Sequence, residues 1–181
     1  MISKSKKIGA PQYFEIAPII LYNKENRMKI GIISDTHGLL RERVKENLND
    51  CNIILHAGDI GKIEIIDQLE EIGHTFYVKG NCDKNIDFKY IKEIGVIDIK
   101  GIKFYLIHDI KTIKEDLVDL DIDIVIFGHS HKKDSFKKDD IWYINPGAVG
   151  PKRFNLPITM AKLEVCELDK NKLKLEFIEI D

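Results

Sequence analysis

Residues that can bind metal ions recur at five places along this chain, each directly after a short apolar run. They are Asp35 with His37, Asp59, Asn81, His108, and His129 with His131. Ligands of α/β sheets bind beyond the carboxyl ends of strands, so side chains at these strand ends are expected to meet. A mixed set of carboxylate, imidazole and amide donors suits Mn, Fe, Zn or Ni, whereas Ca and Mg favour oxygen ligands alone. The pattern therefore predicts a transition-metal centre.

Glycine precedes three of these groups, at Gly58, Gly80 and Gly128. Glycine allows the backbone to bend sharply where a strand passes into a loop. A single Asp-x-His triplet or Gly-Asp turn often arises by chance, but five strand ends with the same chemistry indicate one shared site. His56 also ends an apolar run, and we interpret it as a structural hydrogen-bonding residue rather than a metal ligand.

The elements that must position these residues are strands joined through helices, because apolar runs alternate with amphipathic segments. Strands are predicted over residues 29–34, 53–56, 75–78, 96–100, 102–107, 124–127, 134–136, 141–145, 158–165 and 173–180. Helices are predicted around Leu40–Leu48 and from Ile65 to Ile72, where apolar residues recur on one face. Thr112 and Glu115 form a capping-box pattern that predicts a third helix, running through Leu117 and Leu120. The β-rich C-terminal third predicts two sheets rather than one open sheet.

Composition limits the classes of protein to consider. The 181 residues are 44% hydrophobic and 32% charged, which is typical of one folded domain. The chain has 28 Lys and Arg residues and 30 Asp and Glu residues. It therefore lacks the high net positive charge of proteins that coat nucleic acids or bind anionic membranes. Its 3 cysteines form no CxxC pair, and no apolar stretch is long enough for a membrane span. We therefore expect a cytoplasmic location.

The first 27 residues differ from the remainder of the chain. They contain two prolines and a polar stretch over residues 23–27, and the strongly patterned region begins at Met28. We interpret residues 1–27 as an N-terminal extension of unknown role, or as an extra surface strand within 18–22, and residues 28–181 as the domain proper.

The motifs resemble those of the calcineurin-like metallophosphoesterase superfamily. Their order is Asp35-x-His37, Gly58-Asp59, Gly80-Asn81-x-Asp83, His108 and Gly128-His129-x-His131. The short chain, Cys82 in the third motif and the Asn-Pro-Gly sequence at 145–147 are similar to the small single-domain phosphodiesterase branch. The resemblance implies an α/β fold in which a two-sheet β-sandwich is flanked by helices in four layers, αββα. It makes residues 28–181 a metallophosphoesterase domain.

The same resemblance implies a role for each candidate residue. One metal ion would be held by Asp35, His37, Asp59 and His131, and a second by Asp59, Asn81, His108 and His129, with Asp59 bridging. We refer to these seven residues as the predicted ligands. Mn(II) is the favoured ion, with Ni(II), Fe or Zn as alternatives. Asn81, Lys152 and Arg153 are the candidates for binding the substrate phosphate.

The implied activity is hydrolysis of a small phosphodiester by attack of a metal-bridging hydroxide. Two divalent ions held by only two carboxylates leave the centre positively charged, so it attracts anions and can stabilise an in-line displacement at phosphorus. The alternatives are a scaffold or protein-interaction module with this fold, and a metal-dependent nuclease, although the chain has no room for a second DNA-gripping domain. A homodimer is plausible for a chain of this size.

One residue departs from the superfamily pattern in a way that affects the chemistry. The position after the motif asparagine usually carries a histidine that protonates the leaving group, and here it is Cys82. A thiol is a poor general acid in that position. We therefore expect diesters with low-pKa leaving groups to be the better substrates.

Overall fold

The computed structural model describes residues 14–19, 27–85, 88–153, 155–166 and 172–180. The strands in these ranges are β1 (Phe14–Ile19), β2 (Arg27–Ile33), β3 (Ile53–His56), β4 (His74–Tyr77), β5 (Ile94–Ile99), β6 (Ile102–Ile107), β7 (Ile124–Ile126), β8 (Asp134–Lys138), β9 (Ile141–Asn145), β10 (Thr159–Cys166) and β11 (Leu173–Glu179). The helices are α1 (Glu42–Leu48) and α2 (Glu64–Glu70), together with a single 3₁₀ turn at Ile110–Thr112. None of the helices in the described part of the chain is long and apolar enough to cross a membrane.

The strands form two mixed sheets, which confirms the predicted sandwich. One sheet has the order β1-β5-β6-β7-β9-β8 and the other β11-β10-β2-β3-β4. Within the second sheet β2, β3 and β4 are parallel, and within the first β6, β7 and β9 are parallel. The carboxyl ends of the parallel strands in each sheet therefore lie at one edge of that sheet.

The main core lies between the two sheets. It takes Met28, Ile30 and Ile32 from β2 and alternating apolar residues from the other central strands, all buried. This period of two is what a strand requires to present one face to the core. Gly31 points to the opposite face, where a Cβ atom would overlap the side chain of Leu48 in α1. The glycine thus allows the helix to pack directly on the sheet.

Helices α1 and α2 cover the outer face of the five-stranded sheet. Val44 and Leu48 from α1 and Ile65 and Leu69 from α2 are buried in a second apolar cluster with Ile54 of β3. Both helices were predicted from the spacing of their apolar residues, and both are confirmed.

The prediction of a third helix from Thr112 through Leu120 is wrong. After the 3₁₀ turn at Ile110–Thr112 the chain forms separate turns as far as residue 121. The Glu115 carboxylate, which a capping box would direct to the backbone of Thr112, instead accepts hydrogen bonds from Tyr105 Oη and the amide of Lys114. The Asp116 carboxylate accepts from two amides of its own turn. Side-chain hydrogen bonds within the turns therefore take the place of the backbone hydrogen bonds of a helix. The fourth layer of the sandwich consists of turns over residues 110–122.

The residues interpreted as an N-terminal extension include one described strand. β1 pairs in parallel with β5 at an edge of the six-stranded sheet. The strand considered at 18–22 lies outside the described residues beyond Ile19, and the boundary at residue 28 stays a prediction.

Candidate metal centre

The predicted ligands follow five strands whose carboxyl ends meet between the two sheets. Asp35 and His37 follow β2, Asp59 follows β3, and Asn81 follows β4. His108 directly follows β6, and His129 and His131 follow β7. The separation in sequence is large, but backbone hydrogen bonds join the loops directly: the amide of Asp35 donates to the carbonyl of Gly58, and the amide of Gly128 to that of His108.

Most of the predicted ligands have an unusual backbone conformation. Positive φ angles between 45° and 69° occur at Asp35, His37, Asp59, His129 and His131. Left-handed conformations are uncommon for residues other than glycine and cost free energy, so they persist only where the surrounding structure enforces them. Such strain concentrated at one group of side chains is typical of a functional site, and sequence patterns gave no sign of it.

Glycines next to the predicted ligands allow the loops to approach one another. A Cβ atom on Gly80 would overlap the carboxylate and backbone of Asp59, and one on Gly128 would lie 2.8 Å from Asp35 Oδ2. Any other residue at either position would push apart the carboxylates that the site brings together. The predicted reason, a sharp backbone bend, is wrong for Gly80 and Gly128, where close approach requires glycine, and it is confirmed at Gly58, whose φ is 86°.

Asp35, His37 and His131 form one cluster. Asp35 Oδ1 lies 3.3 Å from His131 Nε2 and 3.8 Å from His37 Nε2, and the two imidazole Nε2 atoms are 3.4 Å apart. Asp35 is completely buried, and its other oxygen accepts a hydrogen bond from the amide of His129 and lies 2.7 Å from Ser34 Oγ. One carboxylate oxygen is therefore held by the protein while the other faces the two histidines.

Asp59 and His108 connect this cluster to a second one. Asp59 Oδ2 is 3.8 Å from His37 Nε2 and 3.3 Å from His108 Nε2, while its Oδ1 accepts a hydrogen bond from the amide of Cys82. Asn81 and His129 complete the second cluster on the exposed side: Asn81 Oδ1 lies 2.9 Å from His129 Nδ1, and the rings of His108 and His129 are 5.2 Å apart. Asp59 thus lies between the two clusters.

The buried environment keeps two of the histidines neutral. Burial lowers the pKa of His131 to about 4, with Arg153 contributing, and burial also lowers the pKa of His37. Burial has the opposite effect on Asp35, whose pKa it raises to about 6. Neutral imidazole is the form that binds metals, so His37 and His131 are ready to coordinate at neutral pH.

His108 behaves differently because two carboxylates face it. Burial by itself disfavours the protonated ring, but attraction to Asp59 and Asp35 outweighs burial and raises the pKa of His108 above its usual value. Burial likewise disfavours the charged form of Asp59, yet His108 and the amide of Cys82 lower its pKa below the usual range. The two side chains therefore stabilise one another as an ion pair, which a bound cation would replace.

The surroundings of two buried atoms, His108 Nε2 and Asp35 Oδ1, indicate whether the site can accept metal ions. The Nδ1 atom of His108 lies 2.7 Å from the carbonyl of Ala57, which can only accept, so Nδ1 carries the hydrogen. Nε2 faces Asp59 Oδ2 at 3.3 Å, and Asp35 Oδ1 faces His131 Nε2 at 3.3 Å, but among the described residues neither Nε2 nor Asp35 Oδ1 makes a hydrogen bond. Buried polar atoms without partners are costly, and a cation bound in each of the two clusters would satisfy one of them. The donor set fits a metal ion.

Asp83 has a supporting role that the motif alone did not reveal. Its buried carboxylate accepts hydrogen bonds from the amides of Ile60, Gly61 and Gly80, at 2.8–2.9 Å. It therefore ties the loop after β3, which carries Asp59, to the loop after β4, which carries Asn81. The short Gly-x-x-Asp spacing was the available signal, because aspartate commonly accepts from nearby amides in turns.

Asn145 has a similar role on the other side of the centre. Its amide donates to the carbonyl of Gly128, and its oxygen accepts from the amide of Gly147. The fully buried His56 also acts through hydrogen bonds: its Nε2 lies 2.9 Å from Thr36 Oγ1 and its Nδ1 accepts from the amide of Gly58. The structural interpretation of His56 is confirmed.

The remaining candidates lie at the open side of the centre. Arg153 is exposed, and its Nη2 is 3.4 Å from His37 Nε2. Lys152 is also exposed, and within the described ranges no hydrogen bond or ion pair joins it to a predicted ligand. The thiol of Cys82 lies with His37 and Asp59 in a group whose donor atoms are within 4.8 Å of one another.

Comparisons with known proteins show which family the sequence matches. The family model of the calcineurin-like phosphoesterase superfamily domain matches residues 28–168. A protein of Methanocaldococcus jannaschii named a probable metallophosphoesterase is 30% identical, with the alignment covering 85% of this chain and 82% of that protein. A phosphodiesterase of the same organism is 33% identical, over 66% of this chain and 83% of its own length.

Solved structures show the same fold. Wild-type Vps29 of Entamoeba histolytica, in complex with Zn²⁺, superposes with a TM-score of 0.64 over 84% of this chain and 99% of its own, at 24% identity. At that identity the likeness concerns the fold alone.

Proposed function

Because this chain belongs to the calcineurin-like phosphoesterase superfamily, we propose that it is a metal-dependent phosphodiesterase with a dinuclear centre. One observation carries the proposal: buried carboxylate and imidazole atoms from distant loops converge around atoms that have no partner among the described residues. A binding or structural role would not require donor atoms of this type to be buried together at a free-energy cost.

The proposed coordination follows the two clusters. Asp35, His37, Asp59 and His131 would hold one ion, and Asp59, Asn81, His108 and His129 the other, with Mn(II) the favoured metal and Ni(II), Fe or Zn the alternatives. Two such ions, when bound, would lower the pKa of a water molecule and stabilise negative charge developing at phosphorus.

The protein's own residues supply positioning and charge. Asp83 and Asn145 fix the loops that carry the predicted ligands, so the donor atoms need little rearrangement on binding. Arg153 lies beside His37 at the exposed side of the centre and would pair with a non-bridging phosphate oxygen. Lys152, next to it, adds positive charge without a defined contact.

The alternative is a scaffold or protein-interaction module with the same fold, and the similarity to Vps29 motivates it. The presence of all seven predicted ligands favours the enzyme instead. A metal-dependent nuclease would use the same centre, but the near-neutral net charge of -2 offers no general affinity for nucleic acid.

The test is hydrolysis of bis(4-nitrophenyl) phosphate by protein dialysed against chelator, with Mn, Ni, Zn, Fe or Mg added back. We expect metal-dependent turnover that Asp59→Asn lowers by about 10³-fold, because the shared carboxylate contributes several kcal/mol to the charge balance of both sites. Asp67→Asn, an exposed acid on α2, is the matched control. The absence of metal-dependent turnover, or turnover that Asp59→Asn leaves unaffected, would contradict the proposal and favour the scaffold.

A second prediction concerns the leaving group. With Cys82 in place of a histidine, no strong acid protonates the departing oxygen, so aryl methyl phosphates should react faster as the leaving-group pKa falls. General acids contribute about 10²-fold or more, so Cys82→His should restore about that factor for alkyl leaving groups and little for aryl ones. A rate of the wild-type protein that does not depend on leaving-group pKa would contradict this.

A further inference from the structure

A groove of about 950 Å³ opens beside the metal centre, on the side of the second cluster. Three predicted ligands, Asn81, His108 and His129, form its inner end. From there it runs between the segment after β4 and the segment after β6. Its volume lies near the upper limit for small-molecule sites, and it is larger than a single phosphate needs.

Five lysines line the groove: Lys79, Lys84, Lys89, Lys111 and Lys114. Lys79 is 3.5 Å from Glu93, and Lys89 lies over the ring of Tyr90. The side chains of Lys84, Lys111 and Lys114 are exposed, and no ion pair within the described ranges involves them. These three ammonium groups are therefore available to a ligand.

The acidic residues of the groove are already engaged. Asp83 accepts from three backbone amides, and Glu93 pairs with Lys79. Glu115 accepts from Tyr105 Oη, and Asp109 accepts from the amide of Lys111 and lies 3.9 Å from His129. These carboxylates keep their negative charges, so five lysines face four carboxylates in the described lining, and Lys84, Lys111 and Lys114 are the positive groups not held in such contacts.

Part of the lining of the groove is apolar. Phe88 and Ile107 are buried, Ile94 is partly buried, and all three line the groove. An organic group attached to the scissile phosphate would find both apolar side chains and positive charge in the groove beside the metal centre. An anion bound by two or more lysines in a groove is held more strongly than one bound by a single surface lysine.

Resting on the proposed function, we propose that this groove is a subsite for a second phosphate of the substrate. The substrates are then small organic phosphodiesters that carry a phosphate group in addition to the scissile one. The metal centre binds the scissile phosphate, the apolar part of the lining contacts the group between the two phosphates, and Lys84, Lys111 and Lys114 bind the distal phosphate.

The test is competitive inhibition of bis(4-nitrophenyl) phosphate hydrolysis by the full chain with excess Mn²⁺. The inhibitors are thymidine 5′-phosphate, thymidine 3′-phosphate and thymidine 3′,5′-bisphosphate, which differ only in the number and position of phosphates. We expect the inhibition constant of the bisphosphate to be at least about tenfold below that of the better monophosphate. A smaller difference would overturn the proposal.

Variants locate the effect in the groove. In the double variant Lys84→Ala with Lys111→Ala, the inhibition constant of the better monophosphate divided by that of the bisphosphate should fall towards one. The control is Lys174→Ala, which changes an exposed lysine on β11 and should keep the wild-type ratio of inhibition constants. A ratio that survives the double variant would place the second phosphate elsewhere. Should the chain fail to hydrolyse the reporter, the proposed function fails, and calorimetric titration of the same nucleotides still measures the ratio that decides the subsite.

Discussion

The two halves of the metal centre differ in how firmly the protein holds them. In the buried half, Asp35, His37 and His131 have side chains that are 0%, 12% and 11% exposed. In the open half, the His129 side chain is 47% exposed and Asn81 is exposed as well. Asp59 lies between them. If the proposed function holds, the buried half would hold a metal ion tightly, and the open half would be the part of the centre that faces the groove.

The largest effect should come from removing a charge in the buried half. We expect Asp35→Asn to lower metal affinity by about 10³-fold, because a buried carboxylate is replaced by a neutral amide beside two imidazoles. His129→Ala should cost about tenfold, since water can take the place of an exposed ring. Titration calorimetry of chelator-treated protein with Mn²⁺ measures both, and equal losses would remove the distinction between the halves.

The next effect concerns the Asp83 carboxylate, which joins the loop after β3 to the loop after β4. Asp83→Ala leaves three amides of the loops after β3 and β4 without their shared acceptor, so we expect the free energy of unfolding to fall by about 3 kcal/mol. Asp116→Ala is the matched control, because its carboxylate also accepts from backbone amides but in an exposed turn. Urea unfolding of both variants measures the free energy of unfolding. A similar small decrease in both would show that the hydrogen bonds of Asp83 contribute no more to stability than those of an exposed turn.

The smallest effect is a difference in pH dependence between the halves. Burial raises the pKa of Asp35 to about 6, so below that pH a metal entering the buried half must displace a proton, and affinity should fall by about tenfold per pH unit. The carboxylates raise the pKa of His108 above its usual value, so the second site should continue to gain affinity above pH 6.5.

Calorimetry between pH 5 and 8 measures this difference. We expect the affinity of the buried site to change little above about pH 6, whereas the affinity of the second site continues to rise above pH 6.5. Parallel pH dependence at both sites would contradict the assignment of Asp35 and His108 to different ions.

Much of the site followed from the sequence because strand ends are recognisable from local pattern. Apolar runs of four to six residues predicted β2, β3, β4, β6 and β7, and the polar residues that follow them were the metal-binding candidates. The helix predicted from Thr112 failed for the opposite reason: Glu115 had a tertiary partner in Tyr105 Oη that no local pattern shows.

The sequence by itself determined which donor atoms are available and at which strand ends they lie, because residue type and the period of two are local properties. Only the tertiary structure decided how deeply each donor is buried, since burial depends on which loops meet. It made Asp35 a raised-pKa carboxylate and left His129 open to the groove. It also imposed left-handed backbone on five of the seven predicted ligands, because the convergence of distant loops fixes their φ angles.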